Sequence, residues 1–268
     1  MSASPTPSTH RAWSLLATLA FAGAFVGAYW WFVRTEAGQE FDHSSLAVGI
    51  DLRETIGQDQ LSAAARLGPW IAVVPASALI LATLLRRRWR RAMWAAGLPV
   101  ATYLLATALH DVILSRPYLG EYGYGINTVP SEHLAVAIAS LAVIWSLLPQ
   151  GVWRGVLLPF MVAYAGLLAA LEVTSFAALF ADVLCAVLLA GALAASWSLE
   201  PRPLGRTAAW VHGVLGVASG AVGAWLLLGW AGSAYESEQQ AMACLGLGLT
   251  VASGTTAVLL TLPRRRAG

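Results

Sequence analysis

Long apolar runs alternate with short polar intervals along this chain. The first run covers residues 13–33, the second 69–85 and the third 92–114. A fourth follows at 134–148, a fifth at 156–173 and a sixth at 179–197, with further runs at 208–230 and 241–262. Most approach the ~20 residues that carry a helix across a bilayer core. The pattern predicts an all-α, polytopic membrane bundle of about eight transmembrane helices, both termini on one side. The interval 34–68 holds Glu36, Glu40, Asp42, Asp51, Glu54 and Asp59 and reads as a polar loop. Residues 1–12, rich in Ser and Pro, read as a disordered tail.

Composition agrees: 58% of the residues are hydrophobic and 11% charged, against about 25% charged in soluble domains. A cleaved signal peptide is the alternative for the first run, but its apolar region spans only about 7–15 residues. This run is longer and ends in Tyr29, Trp30 and Trp31, an interfacial belt. Cys185 and Cys244 lie inside apolar runs and read as small buried hydrophobes, not as a disulfide or metal site.

Charge sets an orientation. Lysine is absent. With both termini cytoplasmic, Arg11, Arg86, Arg87, Arg88, Arg90, Arg91, Arg154, Arg202, Arg206, Arg264, Arg265 and Arg266 lie inside, against only Arg34, Arg53, Arg66 and Arg116 outside. That imbalance follows the positive-inside rule. Basic loops beside spans set topology and meet anionic headgroups, so no nucleic-acid partner is expected.

The stretch 115–133, SRPYLGEYGYGINTVPSEH, then faces the extracytoplasmic side. Ionisable groups are costly near membrane depth, on the order of 3 kcal/mol each at a helix centre. His110, Asp111, Arg116, Glu132, His133, Glu172 and Asp182 gather at the outer ends of runs three to six, which predicts a shared polar pocket. Pro130-Ser131 before an apolar run marks a helix start with Ser131 as its cap. The free N–H groups there would suit an anion, with His133 in the first turn as a candidate general acid.

Arg116-Pro117, the NTVPSEH of residues 127–133, and Asp182 in a later helix resemble the PAP2 (phosphatidic acid phosphatase type 2) family of membrane phosphatases. Its motifs are Lys-x6-Arg-Pro, Pro-Ser-Gly-His and Ser-Arg-x5-His-x3-Asp. The FVRTEAGQEFD stretch after the first run is similar to multi-span actinobacterial members. The resemblance covers residues 32–195. It implies a PAP2-like core over residues 13–198, two additional helices over 199–262, and a basic tail at 263–268. It also implies that Arg116 and Ser131 contact phosphate, that His133 takes the general-acid position, and that Asp182 orients a nucleophilic histidine.

That histidine is missing. Its position holds Ala178, the third-motif Arg position holds Glu172, the Lys position holds Leu109, and Glu132 replaces the Gly of the second motif. Covalent phosphoryl transfer needs a nucleophile, and each like-charge contact with a phosphate at ~4 Å costs between ~1 and ~4 kcal/mol. Glu132 is placed to occupy the anion site of its own helix. The expectation is a catalytically inactive relative that binds membrane lipid, a lipid phosphate or an envelope protein, with no cofactor. Two alternatives stand beside it. One is an active phosphatase for a lipid phosphate or diphosphate using His110, whose neighbour Asp111 is expected on a different side of the helix. The other is a transporter or metal site built from Glu132, His133, Glu172 and Asp182.

Overall fold

The computed structural model describes residues 7–47, 53, 56–120, 126–148, 152–197, 251, 254–256 and 258–259. Regular structure among them is entirely helical. Helix α1 is Pro7–Arg34, α2 Glu36–Ala47, α3 Gln58–Leu67, α4 Trp70–Leu85 and α5 Trp89–Ala108. A π-helical turn, Leu109–Ile113, ends α5, with the Leu114 N–H bonded to the Leu109 carbonyl at 2.9 Å. Helix α6 is Glu132–Leu147, α7 Val152–Thr174 and α8 Phe180–Trp197.

Five segments are long and apolar enough to cross a membrane: Ser14–Arg34, Gln58–Leu85, Trp89–Ile113, Val156–Thr174 and Phe180–Trp197. The seventh expected span lies outside the described residues, and only scattered helical positions of the eighth lie within them. Of those, Val251, Val258 and Leu259 are buried in the main core.

Helix α6 has only 16 residues, about 24 Å at 1.5 Å per residue, short of the ~30 Å hydrocarbon core. It is apolar all round, as a helix enclosed by others must be. Leu134, Ile138, Ala142, Val143 and Trp145 are essentially inaccessible, and α4, α5, α7 and α8 all pack on it.

Small residues set the other close contact, between α1 and α8. The Phe21 ring lies over Gly191, where a Cβ would meet it at 2.6 Å, and Ser14 Oγ donates to the Ala195 carbonyl. Without a strong hydrophobic drive between helices in lipid, such backbone approach is a main source of packing. At the same end Trp94 and Trp197 donate their indole N–H groups to each other's carbonyls, at 2.9 and 3.0 Å.

Two expectations require correction. Helix α1 begins at Pro7, within the stretch read as a disordered tail. The interval 34–68, read as a loop, contains α2 and α3. Both are polar on average, but α2 buries Gly38, Gln39 and Asp42 on one face, and α3 is amphipathic, burying Leu61 and Ala65 one turn apart. Tyr164 Oη secures the end of α3 by donating to the Gly68 carbonyl at 2.8 Å.

Candidate functional site: a closed polar cluster

At the end of the bundle away from the Trp94–Trp197 pair, three carboxylates and one guanidinium are buried. Asp42 and Asp182 are 0% exposed, Glu172 2% and Arg116 7%. Asp42 comes from α2, Glu172 from the end of α7 and Asp182 from the first turn of α8, while Arg116 follows the π turn.

Asp42 is the hub. Its Oδ2 accepts from Arg116 Nη2 at 2.5 Å, and its Oδ1 accepts the Ala181 backbone N–H at 2.8 Å. That N–H belongs to the first turn of α8, so Asp42 supplies the negative charge that a helix N-terminus favours. Burial pushes the Asp42 carboxyl above the ordinary aspartate range, opposed by Arg116 and the Ala181 N–H. Beneath it Phe32, Phe41 and Phe180 form an aromatic cluster with ring centroids 5.2 to 5.8 Å apart.

Asp182 Oδ1 lies 4.0 Å from Arg116 Nη1, too far for a hydrogen bond. Its Oδ2 accepts the N–H of Leu179, the residue just before its helix, at 2.6 Å. Arg116 Nε and Nη1 make no hydrogen bond among the described residues. Gln39 anchors the segment carrying Arg116: its Nε2 donates to the carbonyls of Val33 and Pro117, both at 2.8 Å.

Ser131 joins this cluster to α6. As predicted, it caps that helix, its Oγ accepting the Leu134 N–H at 3.2 Å. The same hydroxyl donates to Glu172 Oε2 at 2.5 Å, and the Ser131 N–H donates to the Asp182 carbonyl at 3.1 Å. The α7–α8 turn, where Ala178 is buried, is held from outside. Arg53 Nη1 donates to the Thr174 carbonyl at 2.8 Å and its guanidinium stacks 3.4 Å over the Phe176 ring. Gln58 Nε2 donates to the Ser175 carbonyl at 2.6 Å.

The structure therefore brings together Arg116, Ser131, Glu172 and Asp182, with Ala178 alongside, and leaves the other predicted residues out. His133 is exposed on the first turn of α6. Glu132, half-buried, accepts from Thr107 Oγ1 at 2.6 Å; it is Asp42, not Glu132, that occupies an anion position at a helix N-terminus. His110 and Asp111, expected on different sides of a helix, pair with each other at 2.7 Å within the π turn. Among the described residues no group of three or more His, Cys, Asp or Glu is arranged to hold a metal, and His133 is separated by exposure from the buried Glu172 and Asp182.

Asp42 and Gln39 are the residues that sequence reasoning missed. Read as loop positions they carry no information; read on a helix they lie three apart on one face.

Chemically, the cluster is a lock. Its one buried guanidinium is already bound by a carboxylate, and an incoming phosphate would have to displace that charge-assisted hydrogen bond, about 1.5–3 kcal/mol. Comparison with family models, curated proteins and solved structures finds no match to this chain, which is defined by its helical, membrane-type bundle and this cluster.

Proposed function

We propose that this chain is a non-catalytic membrane protein on a PAP2-like scaffold, whose role is to bind a lipid or a partner protein in the cell envelope. The observation that carries this reading is the Arg116–Asp42 pair: the guanidinium matched to a phosphate-binding Arg is held at 2.5 Å by the protein's own carboxylate. The absence of a nucleophile at buried Ala178 and the exposure of His133 support the same reading. The excess of arginine at the opposite end supports an extracytoplasmic position for the cluster. The purified chain assayed against phosphatidate, a prenyl diphosphate and soluble phosphate esters is expected to show no turnover above background. Robust turnover abolished by His133→Ala would refute the proposal.

One observation favours a second reading, an active phosphatase for a lipid phosphate or diphosphate. The His110–Asp111 pair, 2.7 Å apart and partly exposed, has the form of a carboxylate-oriented histidine. A phosphorylated intermediate trapped at His110 and lost in His110→Gln would establish it; an active preparation lacking that intermediate would exclude it.

A further inference from the structure

The most concentrated charge in the described chain lies at the other end, in the connection between α4 and α5. Arg86, Arg87, Arg88, Arg90 and Arg91 occupy five of six consecutive positions. The connection is short and tied to the preceding helix. The Arg86 N–H bonds to the Ala82 carbonyl at 3.2 Å, Arg87 to Leu84 at 2.8 Å and Arg88 to Thr83 at 3.2 Å. Arg87 takes a left-handed conformation, φ 56°. Arg91 Nη2 fastens the turn to the end of α6 by donating to the Ser146 carbonyl at 3.0 Å. The other four arginines are exposed, and none makes a salt bridge among the described residues.

This arrangement is electrostatically unfavourable by itself. The guanidinium groups repel one another, and those in the cap and first turn of α5 oppose the positive end of its dipole. That turn contains no acid, and Arg88 makes no side-chain capping bond. The acidic residues among the described ones belong to α2, α3, the π turn, the start of α6, the end of α7 and the start of α8, toward the opposite end. Glu200 lies outside the described residues. The flanking side chains are apolar and open: Leu85 is 75% exposed, Trp89 60% and Met93 71%. A soluble anion would satisfy the arginines but make no use of these three, which stand at the ends of the apolar spans. An amphiphile satisfies both.

We infer that residues 85–93 form a docking surface for an anionic phospholipid, its phosphate headgroup among Arg86, Arg87, Arg88 and Arg90 and its apolar part against Leu85, Trp89 and Met93. Charge complementarity selects the headgroup, and the exposed apolar flank selects a lipid over a free phosphate or a nucleic acid. The surface is distinct from the Asp42–Arg116 cluster, and the inference does not depend on the function proposed above.

Native mass spectrometry of the full chain, released from micelles holding equal phosphatidylglycerol and phosphatidylcholine, tests this. Each basic residue near an anionic surface contributes about fivefold in affinity, equivalent to ~1 kcal/mol. The wild-type chain is expected to retain the anionic lipid in preference, and the quadruple Arg→Gln variant at 86, 87, 88 and 90 to lose that preference. The quadruple Arg→Lys variant should keep most of it, and Arg66→Gln, exposed on α3 at the opposite end, should keep all of it. If the quadruple Gln variant does not fold, the pairs R86Q/R87Q and R88Q/R90Q should each lose more than tenfold. Equal retention of both lipids by the wild-type chain overturns the inference. So does unchanged preference in the Gln variants, or displacement of the lipid by glycerol phosphate or an oligonucleotide at matched charge.

Discussion

Replacing Asp42 by Leu tests whether the polar cluster is the lock described. The substitution removes both acceptors at the hub, leaving the Ala181 N–H without its partner and Arg116 without its counter-ion. Arg116 cannot turn to water, because its side chain is only 1% exposed, and the nearest remaining carboxylate, Asp182, stands 4.0 Å away. Breaking a buried ion pair from one side costs about 3–5 kcal/mol, most of it the penalty of the stranded charge. Rotation of Asp182 toward Arg116 would recover part of this, so the lower end of that range is expected.

Arg116→Met removes the counter-ion of the buried Asp42 carboxylate, and a similar loss is expected. The double variant Asp42→Leu/Arg116→Met removes both members of the pair, and Asp182 loses only its longer, 4.0 Å contact with the guanidinium. Apolar replacement of a whole buried pair is often neutral or stabilising, so the double variant should be more stable than either single one, a coupling of roughly 2–3 kcal/mol. Unfolding of all four proteins in mixed micelles titrated with sodium dodecyl sulfate, followed by circular dichroism, reads these differences. A loss below ~1 kcal/mol for Asp42→Leu, or a double variant as unstable as the sum of the singles, would refute the reasoning.

Further predictions concern its surroundings. Burial raises the Asp42 pKa above its ordinary 3.8, so the folded state holds that proton more tightly than the unfolded one. The associated stability is fully present below the unfolded value and is lost as pH rises through the folded one. Asp42→Asn should therefore flatten the fall in melting temperature with rising pH over that interval, and an unchanged profile would show that Asp42 does not titrate there. Ser131→Ala removes both the α6 cap and the hydrogen bond to Glu172, a combined loss of about 2–4 kcal/mol; a loss under ~0.5 kcal/mol in the same unfolding assay would show that neither bond matters. Gly191→Val inserts side-chain atoms where the Phe21 ring lies. It should separate α1 from α8 and expose α1 to proteolysis in micelles, whereas wild-type resistance to cleavage would show that this contact is dispensable.

The expected apolar runs at 69–85, 92–114, 134–148, 156–173 and 179–197 each coincide with a helix, because uninterrupted apolar sequence of that length has few other stable outcomes in lipid. What the runs conceal is their rank. The run at 134–148 looks like any other span, yet it forms a short helix enclosed by four neighbours, while α1 leaves Leu15, Leu19, Val26, Trp30 and Trp31 exposed. Hydrophobicity cannot make this distinction, since lipid and protein interior are equally apolar. The polar helices α2 and α3 were hidden for the opposite reason: they are short and polar on average, and the narrow Leu61–Ala65 stripe of α3 is lost among the charges of the interval.

The same asymmetry explains the site. Arg116, Ser131, Glu172 and Asp182 were legible because each polar residue stands out against an apolar background near the end of a span. Asp42 stood among six acids in the interval 34–68, and nothing in its immediate sequence separates it from Glu40 two positions earlier. Only the helical turn of α2 does so, directing Glu40 to solvent and burying Asp42. Burial then gives the two identical charges opposite consequences. At Glu40 a carboxylate is solvated and energetically almost neutral; at Asp42 it must be compensated, and the compensation draws in Arg116 from beyond the π turn and the first turn of α8. A single carboxylate thus adds a charged tie between three pieces of chain and supplies the guanidinium with a buried counter-ion. It is the buried Asp42 that closes the cluster around Arg116.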